Sequence, residues 1–114
     1  MTLPLIDQAT FDSLAKQPGT TLLDFTAAWC GPCKQMHPVL ENLAIEYTGQ
    51  VRFVAIDVDH EPALAERFGV RSMPTFVVLR DGREVGRFVG SRPRRFVAGV
   101  LDRALAGDVQ IAAP

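Results

Sequence analysis

The sequence predicts an α/β domain built on a mixed sheet. Two nearly continuous apolar runs, residues 21–27 and 51–58, bracket a stretch of helical periodicity, as expected for parallel strands joined by a crossover helix. Farther along, two short strand-like runs flank Asp81-Gly82, the sign of a hairpin and so of antiparallel pairing. The full order reads β, α, β, α, β, α, then β, β, α.

Each element has its own local reason. Residues 3–6 form a short apolar segment, an edge strand because Pro4 cannot donate to a ladder. Phe11 and Leu14 share one face of a short helix over 10–16, which Pro18-Gly19 ends. Residues 21–27 are apolar enough for a strand buried on both faces. A helix over 33–47 follows, because Met36, Val39, Leu40, Leu43, Ala44 and Tyr47 recur at three- and four-residue spacing. Pro38 should kink it, since it lacks an N–H and crowds the preceding turn. Residues 51–58 make a second buried strand, and 61–68 a short helix closed by Gly69. The hairpin strands cover 75–79 and 84–89, and an amphipathic helix over 96–105 stops at Gly107.

The 114 residues suit one domain, placed at 1–107, with 108–114 as a short frayed tail. Apolar residues make up 47% and charged residues 22%, a globular balance. The net charge of −1 argues against nucleic-acid or anionic-lipid partners. Residues 1–66 nevertheless carry nine acids and three bases, and residues 67–106 the reverse. That asymmetry reads as surfaces that interleave on folding rather than as a basic docking face. No apolar run approaches the roughly 18 residues of a membrane span. No basic, apolar leader precedes Asp7, so the expected location is cytoplasmic. In a reducing compartment, two neighbouring cysteines point to catalysis or metal binding rather than a structural bridge.

The chemistry is concentrated in Trp29-Cys30-Gly31-Pro32-Cys33-Lys34, which follows a buried strand and opens a helix. Cys30 therefore sits at a helix N-terminus, where free N–H groups and the helix dipole favour a thiolate. Pro32 falls early in the helix, where its missing N–H costs nothing. Three-residue spacing leaves Cys33 within bonding reach of Cys30. A thiolate at Cys30 can then attack a disulfide, and Cys33 can resolve the mixed disulfide. Zinc is the competing reading, with His37 and His60 as added ligands. A four-ligand site would need every Cys and His of the chain.

This six-residue run resembles the active site of the thioredoxin family. The likeness extends from Leu22-Leu23-Asp24-Phe25 through Phe68-Gly69-Val70-Arg71-Ser72-Met73-Pro74-Thr75 to Asp81-Gly82 and Val89-Gly90, about residues 3–106. It implies a thioredoxin fold, with a central five-stranded mixed β-sheet flanked by four α-helices. It implies a monomeric protein-disulfide reductase with no bound cofactor, supplied with electrons from NADPH through a flavoprotein thioredoxin reductase. Ribonucleotide reductase, peroxiredoxins and methionine sulfoxide reductases are the substrates it suggests.

The resemblance also assigns roles. Asp24 would be a buried proton acceptor for Cys33; otherwise it is a strand-end residue that reaches water. Pro74 would follow a cis bond facing the cysteines, leaving the Met73 backbone free to pair with an extended substrate; otherwise it is a trans boundary residue. Trp29, Gly31, Pro32, Met73 and Gly90 would ring the dithiol as a flat apolar docking patch, unless Gly90 is an ordinary turn glycine. Two positions depart from the common pattern: Thr26 replaces a tryptophan, and Ala55 replaces a lysine near the aspartate. Without that lysine, nothing offsets the cost of ionising Asp24. The rival functions are a disulfide-forming oxidant, disfavoured by Gly-Pro between the cysteines, and a non-catalytic scaffold, which would need neither cysteine.

Overall fold

The computed structural model describes residues 3–111. The elements run α1 (Gln8–Leu14), β1 (Thr20–Thr26), α2 (Gly31–Glu46), β2 (Val51–Asp57), α3 (Pro62–Arg67), β3 (Thr75–Arg80), β4 (Arg83–Val89) and α4 (Arg94–Leu105). The sheet order is β2-β1-β3-β4. β1 pairs parallel to β2 and antiparallel to β3, and β3 pairs antiparallel to β4.

Strand alternation divides the core in two. Leu22, Phe53, Ala55, Phe76, Val78 and Phe88 face α2 and α4. Leu23, Phe25, Val54, Ile56, Val77 and Leu79 face Phe11 of α1 and Leu64 of α3. All seven residues of the central strand β1 are buried, as its apolar run predicts.

The sheet has four strands rather than the expected five. Residues 3–6 contribute only one parallel bridge, Leu5 to Ala55. The Ala55 N–H donates to the Pro4 carbonyl (2.8 Å) and the Ile6 N–H to the Ala55 carbonyl (2.9 Å). Pro4 has no N–H to extend the ladder on one side. On the other side Asp7 turns the chain by capping α1, its Oδ1 accepting the Thr10 N–H at 2.8 Å.

Helix starts shift for the same kind of reason. α1 begins at Gln8 behind its Asp7 cap, and α4 begins at Arg94 directly after Pro93. α2 begins at Gly31 rather than residue 33, because Cys30 is itself the cap. It continues unbroken through Pro38 to Glu46.

The hairpin is a primed turn: Asp81 and Gly82 have φ of 52° and 82°. The Asp81 N–H donates to the Gly19 carbonyl at 2.8 Å, and its Oδ1 accepts the Gly19 N–H at 2.7 Å. A Cβ at Gly82 would lie 2.1 Å from the Ala15 carbonyl oxygen, so glycine is needed for space as well as conformation.

The tail does not fray where it is described. Ile111 is buried, its N–H donates to the Val85 carbonyl at 2.7 Å, and it bridges Gly86. Residues 112–114 of the expected tail lie outside the described residues. The opposite-sign stretches interleave: Arg94 meets Glu46, and Arg67 lies 3.5 Å from Asp12.

Candidate active site

The site forms where β1 gives way to α2. After Thr26 the chain turns through Ala27, Ala28 and Trp29, with the Cys30 N–H donating to the Ala27 carbonyl at 3.2 Å. Cys30 has an extended backbone and caps α2; its Sγ accepts the Cys33 N–H at 3.2 Å. The two cysteines are joined as a disulfide, with Cα atoms 5.3 Å apart. That arrangement suits redox chemistry: the N–H that touches the sulfur in the oxidised form is placed to stabilise a thiolate in the reduced one.

The dithiol sits in an apolar setting. Cys30 and Cys33 are buried with Ala27, and Val58 and Met73 pack against them. Gly31 and Pro32 are exposed beside it. The Met73-Pro74 peptide bond is cis, as the resemblance implies, and Pro74 is buried. Gly90 adopts a φ of 87°, and its N–H donates to the Pro74 carbonyl at 2.9 Å. Nothing lies within 4 Å of a Cβ built there, so the backbone conformation, not a close contact, favours glycine at 90. Gly90 is thus a turn glycine, and its turn is tied to the proline loop.

Trp29 is 68% exposed, a large apolar surface directly beside Cys30. Its indole N–H donates to Asp59 Oδ2 at 2.8 Å, a partner that sequence reasoning missed. The available signal was the parallel pairing itself, which brings the C-terminal ends of β1 and β2 to the same side of the sheet. Asp57 Oδ1 in turn accepts the Asp59 N–H at 2.9 Å, which orients that turn.

Asp24 lies in the middle of β1, on the face covered by α2, in register with Ala55 and Phe76. It is 1% exposed, and neither carboxylate oxygen has a hydrogen-bond partner. The solvated alternative is therefore excluded. Burial alone pushes its carboxyl up to about 7, so it can take or give a proton near neutrality. Ala55 occupies the adjacent register position on the same face and supplies no charge.

Trp29 is the only tryptophan in the chain. Its emission is expected to change when dithiothreitol opens the disulfide of the neighbouring Cys30, since a nearby disulfide quenches indole. Identical spectra before and after reduction would contradict this placement of the ring.

A protein-family model described as Thioredoxin matches residues 2–103. A thioredoxin of Staphylococcus aureus is 43% identical over 105 residues, covering 92% of this chain and 100% of that protein. Among solved structures, oxidised mitochondrial thioredoxin 3 of Saccharomyces cerevisiae superposes with a TM-score of 0.80 at 39% identity, covering 89% of this chain and 95% of the other. Plasmodium falciparum thioredoxin does so with a TM-score of 0.82 at 32% identity, covering 89% and 98%.

Proposed function

The chain belongs to the thioredoxin family and is a dithiol–disulfide oxidoreductase, and from that premise we propose how its residues divide the work. Cys30 is the attacking thiol. Its thiolate, held at the N-terminus of α2, displaces one sulfur of a substrate disulfide and forms a mixed disulfide. Cys33 then attacks the Cys30 sulfur, its thiol proton passes to Asp24, and the substrate leaves as a dithiol, its two released thiolates taking protons from water. The chain is left with the Cys30–Cys33 disulfide.

The observation that carries this reading is the capping contact between Cys30 Sγ and the Cys33 N–H, within a disulfide that opens a helix. Trp29, Gly31, Pro32, Met73 and Gly90 form the docking surface. Within the described residues the Met73 backbone makes no hydrogen bond, which leaves it available to an extended substrate.

Family membership supports disulfide-containing protein substrates and a reductase partner in general. We place the protein more narrowly as a cytoplasmic monomer that draws on NADPH through a flavoprotein reductase. Its substrates would be enzymes that finish their cycle with a disulfide, such as ribonucleotide reductase, peroxiredoxin and methionine sulfoxide reductase. Among the described residues, no helix is long and apolar enough to cross a membrane.

Insulin reduction tests the function. Catalytic amounts of the protein should accelerate precipitation of the insulin B chain by dithiothreitol many-fold. A rate equal to dithiothreitol alone would overturn the reading and favour a scaffold.

A further inference from the structure

The chain has three methionines, Met1, Met36 and Met73, of which Met1 lies outside the described residues. The other two sit in different surroundings. Met36 is 1% exposed within the core layer under α2, and its sulfur accepts the Arg92 N–H at 3.3 Å. Met73 is half-buried in the loop before β3 and packs against Cys30 and Cys33, which are themselves buried. The dithiol cluster therefore holds a third sulfur, a thioether, which is its least buried one.

An oxidant meets these sulfurs in an order set by the state of the cysteines. In the dithiol form the Cys30 thiolate is the strongest nucleophile. It takes one oxygen of a hydroperoxide to become a sulfenic acid, and Cys33 then closes the disulfide with loss of water. In the disulfide form neither cysteine is free. The Met73 thioether is then the nucleophilic sulfur left in the cluster.

We propose that Met73 is a peroxide-sensitive modification site guarded by the dithiol: once the cysteines are joined, a hydroperoxide converts its thioether to the sulfoxide, and the sulfoxide weakens substrate docking. The inference rests on the reading of Met73 as part of the docking surface. The sulfur gives an electron pair to one peroxide oxygen, the S–O bond forms and the O–O bond breaks. The proton on the transferred oxygen passes to the departing hydroxide, which leaves as water. Sulfur is oxidised by two electrons and the peroxide is reduced by two. A flexible apolar side chain has become polar. The Ala27, Cys30 and Cys33 side chains of the cluster offer the new oxygen no N–H or O–H donor while the disulfide is closed. Covering it with a substrate then costs desolvation without a compensating hydrogen bond. The disulfide form accumulates where reductant is short, so the modification registers that condition, and a methionine sulfoxide reductase reverses it.

The test treats the disulfide form of the full chain with hydrogen peroxide and reads insulin reduction and site-resolved mass spectrometry on the same samples. Untreated protein is assayed first; if it does not reduce insulin, the function itself falls and this inference with it. In active protein, a gain of one oxygen at Met73 should accompany a rise in KM of about three- to tenfold, with Met36 unmodified. A methionine sulfoxide reductase should restore the starting KM. One equivalent of peroxide given to the dithiol form should yield the disulfide and leave Met73 intact. Met73→Leu, of similar volume, should show the same KM before and after peroxide. Met73→Gln, polar from the outset, should show a raised KM without peroxide; it serves if the leucine variant folds poorly. Oxidation of Met73 with KM unchanged overturns the proposal, as does a peroxide-induced rise in KM that persists in Met73→Leu. Oxidation of Met73 in the dithiol form ahead of the cysteines removes the guarding role and overturns it as well.

Discussion

Cys30→Ser is expected to abolish disulfide reduction, whereas Cys33→Ser should keep the first attack and lose the second. The asymmetry follows from the cap. Only the Cys30 sulfur is held by an N–H of the first turn of α2, the Cys33 N–H at 3.2 Å. A serine hydroxyl at 30 stays protonated near neutral pH and cannot replace the thiolate. At 33 the loss is of a different kind. Resolution by Cys33 is intramolecular, and well-placed neighbouring groups reach effective concentrations on the order of 10⁵ M. External thiols at millimolar concentration cannot match that, so the mixed disulfide should persist for orders of magnitude longer. Non-reducing gels of a cell extract passed over immobilised Cys33→Ser should show trapped partners that dithiothreitol releases. Trapping by Cys30→Ser instead would reverse the assignment. The identities of the trapped proteins would also test the substrates proposed above.

Asp24→Asn is expected to stabilise the protein at neutral and alkaline pH while slowing release of the reduced substrate. The folded carboxyl titrates at about 7, above the ordinary value of 3.8, and burial is the sole cause. The native state therefore holds the proton more tightly than the unfolded chain. Stability from this group is fully present below about pH 4, falls as pH rises toward 7 and is gone above that. The interval corresponds to about 4 kcal/mol at full ionisation. An asparagine leaves polar atoms buried as well, but their cost does not vary with pH. Denaturant melts should show wild type losing stability across pH 4–7 relative to the variant. Parallel curves at every pH would mean that Asp24 keeps its ordinary acidity and would remove its role as a buried acceptor. Ala55→Lys should move the window to lower pH, since residue 55 is the same-face neighbour of Asp24 on β2.

Much of the fold was legible because its signals are local. Asp81-Gly82 can adopt a primed turn with little help from the rest of the chain, and it does so. The apolar run of β1 fits a strand covered on both sides, and all seven of its residues are buried. The cap at Cys30 was legible for the same reason: a cysteine three residues before a second one, with proline between, at the start of a periodic segment. Boundaries were less so. Asp7 and Cys30 each start a helix earlier than the apolar periodicity alone suggests, because capping is decided by one side chain and not by a pattern.

What the sequence determined by itself is the α/β class, the dithiol at the start of a helix, and a buried acid that needs a reason to exist. Short-range chemistry and hydrophobic periodicity are sufficient for each of these. The tertiary structure alone decided which distant residues meet. It joined Trp29 to Asp59, thirty positions apart, because parallel pairing brings the ends of β1 and β2 together. It reduced the expected fifth strand to the Leu5 bridge, since Pro4 and the Asp7 cap leave no donor row to extend. It docked Ile111 on β4, where Gly86 leaves the space. It also left the Asp24 carboxylate buried without a hydrogen-bond partner, in register with the methyl group of Ala55. Each of these contacts joins segments separated along the chain, so each depends on packing that no local pattern records.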